Sequence, residues 1–166
     1  MVRVHGKTIL LDMGLFQGRR AEVHRKNEVL PVDAHNVDAV VLSHAHIDHA
    51  GRLPYLIRRG YRGPIFTTPA TRDLCRVLLS DSAHIQEKDA EFLARRNRSY
   101  QEPLYDREHV NYTMRRMHPV PYRARTEVAE GVLVELTDAG RQMARYSNPP
   151  SGEHADAMDK LHEAIE

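Results

Sequence analysis

The sequence predicts a single α/β domain in which helices pack against a sheet. Three observations support this. Short apolar runs typical of strands recur along the chain, segments with the apolar spacing of helices separate them, and residues 37–42 are apolar enough for a strand covered on both faces. A chain of 166 residues with 41% hydrophobic and 28% charged residues can bury the core that such a domain needs.

The chain is expected to open with a β-hairpin. Apolar residues 2–4 and 8–11 flank the turn signal His5-Gly6-Lys7, and the second predicted strand ends at Asp12. A glycine-punctuated loop and then a polar helix, stopped by Pro31, are expected before the buried strand.

A long helix is the main element expected in the middle of the chain. A helical stretch ending at Gly60 and a short strand precede it. Thr68-Pro69 is typical of a helix start, because threonine caps the first turn and proline suits its first position. The helix is expected to reach about residue 96, with a break near Ser80-Asp81-Ser82. Its apolar residues line one face: Leu74, Val77, Leu78, Ile85, Phe92 and Leu93.

The last predicted elements are a helix capped by Asp106 and an alternating strand over residues 132–136. After Gly140 there is no strand pattern, only a short acidic helix over residues 156–165. We therefore expect one domain over residues 1–140 and a divergent tail over residues 141–166.

Composition favours a cytoplasmic protein without a membrane span. No apolar run is long enough to cross a bilayer, and the first residues show no secretory leader. Cys75 is the only cysteine, so no internal disulfide forms, and its place in the long helix predicts a core position.

Several arginines follow residues 43–49 and suit phosphate contacts. A solvated helix face is nevertheless the preferred interpretation of such a run. The arginines concerned are Arg52, Arg58, Arg59 and Arg62.

Residues 43–49, Ser-His-Ala-His-Ile-Asp-His, predict a metal-binding loop. On an extended segment His44 and His46 point to the same side and can hold one ion. Asp48 and His49, where the chain turns, can reach a second ion. Imidazole and carboxylate groups suit zinc, which activates water for hydrolysis. A histidine-rich surface turn is the alternative, and the strand directly before the loop argues against it.

This motif resembles the signature loop of the metallo-β-lactamase superfamily. The wider sequence over residues 9–18 and 37–54 is similar to its RNA-processing β-CASP branch, which cleaves RNA. Gly60-Tyr-Arg-Gly-Pro-Ile, Tyr105-Asp-Arg-Glu-His-Val and Glu135-Leu-Thr-Asp-Ala-Gly continue the likeness, which extends over residues 2–140.

The resemblance implies an αββα sandwich with two zinc ions at one edge, hydrolysing RNA phosphodiesters. His44 and His46 would hold one zinc, and Asp48 and His49 the other. Asp48 would also have a catalytic role by orienting the nucleophile. Asp12, at its strand end, would brace the loop from behind the ligands.

The chain departs from the family pattern beyond Gly140. The family has a histidine where this chain has Arg141, and its later bridging aspartate has no equivalent, since Ser151-Gly-Glu153 follows no strand. The β-CASP region and the opening strand are also missing. We therefore expect an incomplete sandwich with much of its second sheet missing, from an interrupted or fused reading frame.

Three functional interpretations stay open. The preferred one is a zinc-dependent hydrolase of the RNA-processing type in partial form, with RNA as candidate partner. The second is a non-catalytic metal-binding or interaction module that completes its fold with a partner, for example by self-association through the exposed sheet. The third is a small-molecule hydrolase from elsewhere in the superfamily, against which the Gly14-Leu-Phe-Gln-Gly segment argues.

Overall fold

The computed structural model describes residues 1–18, 20–95, 102–136 and 144–146. Five strands form the first sheet, in the order β1-β2-β3-β4-β5, with β1 antiparallel and the others parallel. Its strands are β1 (Val2–Val4), β2 (Lys7–Leu11), β3 (Ala39–Val41), β4 (Ile65–Thr67) and β5 (Met117–Pro119).

A second sheet of three antiparallel strands lies against the first. It consists of β6 (Arg125–Ala129), β7 (Val132–Leu136) and β8 (Ala144–Tyr146). The helices are α1 (Arg20–Glu28), α2 (Ile47–Ala50), α3 (Leu53–Arg58), α4 (Pro69–Arg95) and α5 (Arg107–Arg116).

The predicted α/β architecture is confirmed, and the described residues form three of the four layers of an αββα sandwich. Side chains of a strand alternate between faces, so Leu10 and Val40 pack toward the helices while Ile9 and Val41 pack toward the second sheet. The second sheet contributes the valines at 128, 132 and 134 to that layer.

The opening hairpin is confirmed. β1 and β2 pair with Val4 opposite Lys7, which leaves a two-residue turn at His5 and Gly6. Both turn residues have positive φ, 48° and 74°, as the right-handed twist of a tight hairpin requires.

Two strands of the second sheet were not predicted. β6 is rich in charged residues, and β8 lies in a stretch without a strand pattern, yet both pair with β7. The expected boundary at Gly140 and the acidic helix over residues 156–165 lie outside the described residues.

The start of α4 is confirmed, but the predicted break near Ser80 is wrong. Thr68 Oγ1 accepts a hydrogen bond from the backbone nitrogen of Thr71 at 3.2 Å, which caps the first turn. The Ser80 hydroxyl donates to the carbonyl of Arg76 at 2.7 Å, so it is satisfied inside the helix. The helix therefore continues to Arg95.

The apolar face predicted for α4 is not the face that enters the core. Leu74, Val77 and Ile85 are 57%, 66% and 54% exposed. The buried residues are mostly small: Thr71, Cys75, Leu79, Ala83 and Ala90. Small side chains let the helix approach its neighbours closely, and periodicity alone does not show which of two usable faces is packed.

The longest helix in the described part of the chain, α4, is too polar to cross a membrane, and none of the others there has the needed length and apolarity.

Cys75 packs in the core, as its position in the helix predicts, and burial raises the pKa of its thiol to about 12. The thiol therefore stays protonated and covered near pH 8. We expect a thiol-reactive chromogenic disulfide to label the native protein only at the rate of unfolding, and at once in concentrated guanidinium chloride. Rapid labelling of the native protein would contradict this packing.

Candidate metal centre

The polar motif lies where the parallel strands β2 and β3 end. Leu11 pairs with Val41, so the residues that follow each strand, Asp12 and those from Ser43 onward, meet at one edge of the sheet. Ligand sites of parallel α/β sheets are built at this carboxyl edge, because the loops there converge.

The structure brings the four candidate metal-binding side chains into close neighbouring pairs. His44 Nε2 lies 3.0 Å from His46 Nδ1, and the rings of His44 and His49 are 4.0 Å apart between centroids. His49 Nε2 lies 3.8 Å from a carboxylate oxygen of Asp48. The motif was expected to be a loop, but its second half is helical. α2 begins at Ile47 and places Asp48 and His49 on its single turn.

Asp12 lies behind the histidines and holds both ends of the motif. Its Oδ1 accepts from the backbone nitrogen of Ser43 at 2.7 Å, and its Oδ2 accepts from the Ser43 hydroxyl at 2.7 Å. Oδ2 also lies 2.8 Å from His49 Nδ1. The backbone of Asp12 has a φ of 57°, a conformation rare outside glycine, which the surrounding contacts must enforce.

Asp12 could also be counted as a ligand, since its oxygen and nitrogens of His44 and His49 lie within 4.8 Å of one another. The hydrogen bonds argue against that role. Both of its oxygens already accept from the motif, whereas the more exposed Asp48 carboxylate lies at the longer distance of 3.8 Å from His49 Nε2. We therefore treat Asp12 as the brace and Asp48 as the candidate ligand.

Main-chain hydrogen bonds fasten the loop after β2 to α2. Met13 donates to the carbonyl of His49 at 2.6 Å, and Leu15 donates to that of Ile47 at 3.0 Å. Between them lies Gly14, where a Cβ would overlap the backbone carbonyl of Asp48. A residue without a side chain is needed there because the two backbones touch.

Arg52 is a structural residue of this region that sequence reasoning misassigned. Predicted to lie on a solvated face, it is only 6% exposed, and its guanidinium donates to the carbonyls of Gly14 at 2.6 Å and Val29 at 3.0 Å. Burial lowers the pKa of its guanidinium, and the ring of Phe16 lies under it at 4.7 Å. The structural role of Arg52 could not be predicted from a run of arginines, because its partners are carbonyls that are distant in sequence.

Two other arginines of that run also bind protein groups through their guanidinium groups. Arg58 donates to the carbonyls of Pro103 and Leu104 and pairs with Glu102 at 3.0 Å. Arg62 donates to the carbonyl of Ile57 at 3.0 Å. These side chains tie loops to α3, so the interpretation as a purely solvated face is wrong for them.

Electrostatics favour the neutral form of His44, which is the form that binds metals. Burial lowers the pKa of His44, and the nearby imidazoles of His49 and His46 lower it further, against the opposing carboxylates of Asp12 and Asp48. A neutral imidazole has a free lone pair, so the site resists protonation that would block a cation.

An open groove of 680 Å³ borders one side of the cluster, next to Asp48 and His49 but not to His44 and His46. Asp12, Asp48 and His49 line it together with Gln17 and Arg52. Its size falls within the range of clefts that bind ligands.

Comparison with known proteins shows one family model and several relatives to which this chain is similar. The profile of the metallo-beta-lactamase superfamily matches residues 1–61. Ribonuclease TTHA0252 of Thermus thermophilus is 38% identical over 117 residues, covering 70% of this chain and 23% of that protein. Transcription termination factor FttA of Methanosarcina mazei is 32% identical over 138 residues, covering 83% of this chain and 19% of that protein. The chain thus spans about a fifth of the length of these relatives.

A solved structure shares the fold at low sequence identity. Zn(2+)-bound PqqB from Methylobacterium extorquens has a TM-score of 0.50 and 13% identity, covering 89% of this chain and 44% of that one. The likeness covers most of this chain and supports the sandwich architecture.

Replacing Gly14 by alanine is expected to disorganise the metal centre. The added methyl would force α2 away from the loop after β2, at a cost of about 3 kcal/mol or more in the free energy of unfolding. Chemical denaturation measures this cost. Gly131→Asn is a control at a second glycine, because a Cβ at position 131 would meet no atom within 4 Å and asparagine tolerates its φ of 73°. Equal stability of the Gly14→Ala variant and the parent would contradict the close approach.

Proposed function

Because the chain belongs to the metallo-beta-lactamase superfamily, we propose that it is a zinc-binding hydrolase domain of the RNA-processing type. The observation that carries this proposal is that His44, His46, Asp48 and His49 lie in close pairs at the carboxyl edge of the first sheet. The β-CASP branch is the assignment we favour, since the relatives are named a ribonuclease and a transcription termination factor.

The donor set suits zinc. Two nitrogens bound to one tetrahedral zinc at about 2.0–2.1 Å lie roughly 3.3 Å apart. The 3.0 Å between His44 Nε2 and His46 Nδ1 is close to that spacing, so small ring movements would accommodate an ion. Asp48 and His49 would hold a second ion beside the first, as imidazole and carboxylate commonly do.

Zinc at this edge would supply Lewis-acid activation of water and charge neutralisation for phosphodiester hydrolysis. The chain's own residues would position that chemistry. Asp48 faces the groove and would orient the nucleophile, while Asp12 keeps the ring of His49 fixed. The groove beside Asp48 and His49 would give an RNA strand a path to that side of the cluster, and we propose RNA as the substrate class.

We further propose that this chain by itself binds zinc weakly and turns over little substrate. Catalytic zinc normally has three protein ligands, and the motif supplies two for each ion. Residue 141, where the family places a further histidine, is arginine. Full activity would need ligands from outside residues 1–140, the region that we propose as the domain.

A second candidate function is a metal-binding interaction module. The exposed apolar residues of α4 favour it, because Leu74, Val77 and Ile85 are each more than half exposed on one helix. Such a module would complete its fold with a partner, or with a second copy through its sheets.

Metal analysis separates a built zinc site from a chance cluster. We expect purified protein to carry zinc at less than two ions per chain, and a His44→Ala, His46→Ala double variant to lose it. The first ion would lose both of its proposed ligands, and Asp48 and His49 alone are too few to hold the second. His118→Ala is the matched control, since His118 lies on β5 against Phe66 and outside the cluster. Zinc content that is the same in the double variant and the parent would contradict the proposed zinc site.

An activity comparison separates the functions. With zinc added, we expect weak cleavage of single-stranded RNA, no cleavage of a small nitrophenyl ester, and loss of the RNA activity in the double variant. Ester hydrolysis without RNA cleavage would instead assign the chain to a small-molecule branch. A defined oligomer with a cooperative melt and no hydrolysis of either substrate would favour the interaction module.

A further inference from the structure

Ser43 links two groups of the candidate metal centre, the Asp12 carboxylate and the His44 imidazole, although the motif assigns it no function. It follows β3 directly, and its backbone nitrogen donates to Asp12 Oδ1 at 2.7 Å. Its hydroxyl lies 2.7 Å from Asp12 Oδ2 and 2.8 Å from His44 Nδ1. The hydroxyl thus stands between the brace and a candidate ligand, at hydrogen-bond distance from both.

Counting protons gives these contacts a direction. The Asp12 carboxylate only accepts, so the single hydroxyl proton of Ser43 is donated to Oδ2. The Ser43 oxygen then accepts from His44, which places the proton of that imidazole on Nδ1. The lone pair of His44 is therefore on Nε2, the atom that faces His46.

The same carboxylate oxygen sets the second ring. Asp12 Oδ2 also accepts from His49 Nδ1 at 2.8 Å, so the lone pair of His49 is on Nε2, which faces Asp48. One oxygen thus directs two imidazoles, His49 directly and His44 through Ser43. In a neutral imidazole only one nitrogen carries the lone pair, and the partner of the other nitrogen selects it.

We propose that Ser43 is a positioning residue that fixes the Nδ1–H tautomer of His44 and so presents Nε2 of that ring to a metal ion. This inference rests on the proposed zinc site. It assigns to a hydroxyl the task that a carboxylate or a backbone carbonyl usually has at a metal-binding histidine.

The proton on His46 marks where the ion enters. Because His44 Nε2 carries a lone pair, the 3.0 Å contact places the proton on His46 Nδ1. A cation that binds between the two nitrogens replaces this proton, so His46 changes tautomer on binding while His44 and His49 do not.

Nitrogen-15 NMR of the histidine rings tests the assignment in the parent protein without metal, at a pH where the rings are neutral. We expect His44 and His49 to carry their protons on Nδ1. A parent protein in which His44 carries its proton on Nε2 would overturn the proposal, whatever the variants do.

Variants at position 43 test the consequence for zinc. In Ser43→Ala we expect His44 to populate both tautomers and the Kd for zinc, measured against a competing chelating dye, to rise by roughly 10- to 100-fold. Ser43→Thr keeps the hydroxyl and is expected to restore both. Equal tautomer populations and equal Kd in Ser43→Ala and the parent would overturn the proposal, as would a failure of Ser43→Thr to restore them.

Ser80→Ala is the matched control, since its hydroxyl bonds only to a carbonyl of its own helix and is expected to leave the Kd unchanged. Failure of the inference is distinguishable from failure of the proposed function. A parent protein that binds no zinc defeats the proposed function, whereas a parent that binds zinc with the same Kd as Ser43→Ala defeats only the role of Ser43.

Discussion

The carboxylate of Asp12 accepts three hydrogen bonds, from the backbone and hydroxyl of Ser43 and from the ring of His49. These partners lie 31 and 37 residues away in sequence, at the two ends of the metal motif. The motif's geometry therefore depends on one side chain at the end of a neighbouring strand. Hydrogen bonds to a charged group are each worth roughly 1.5–3 kcal/mol, which is enough to offset the cost of about 1–3 kcal/mol for a strained backbone conformation.

The sheet makes this arrangement available. β2 and β3 are parallel neighbours in register, so Asp12 and Ser43 leave their strands side by side. Gly14 and the buried guanidinium of Arg52 then fix the loop after β2 against α2. The first sheet is covered on one face by helices and on the other by the second sheet, which keeps the strand ends in place while the cluster itself faces an open groove.

Local signals in the sequence predicted much of this fold. Thr68 and Asp106 cap helices through contacts within three residues. The metal motif could likewise be recognised from the spacing of its own residues. The face of α4 could not be predicted, because Leu74 and Cys75 both lie on apolar stripes and only tertiary packing selects the stripe that is buried.

The parts of the site that escaped prediction depend on distant partners. Arg52 lies in a run of arginines whose local pattern indicates a solvated face, and its burial comes from carbonyls 23 to 38 residues away. The bracing role of Asp12 was expected from the resemblance alone, and its hydroxyl relay through Ser43 was not expected at all. Sequence shows which groups are present, whereas proton positions follow only once distances are known.

X-ray absorption at the zinc edge tests the central claim most directly, because it reports the atoms around a bound ion. For protein loaded with one equivalent of zinc, the account predicts nitrogen and oxygen neighbours at about 2.0–2.1 Å, with the outer-shell scattering of at least two imidazoles and no sulfur. A spectrum of zinc surrounded by water alone, or one with a sulfur neighbour at about 2.3 Å, would contradict it.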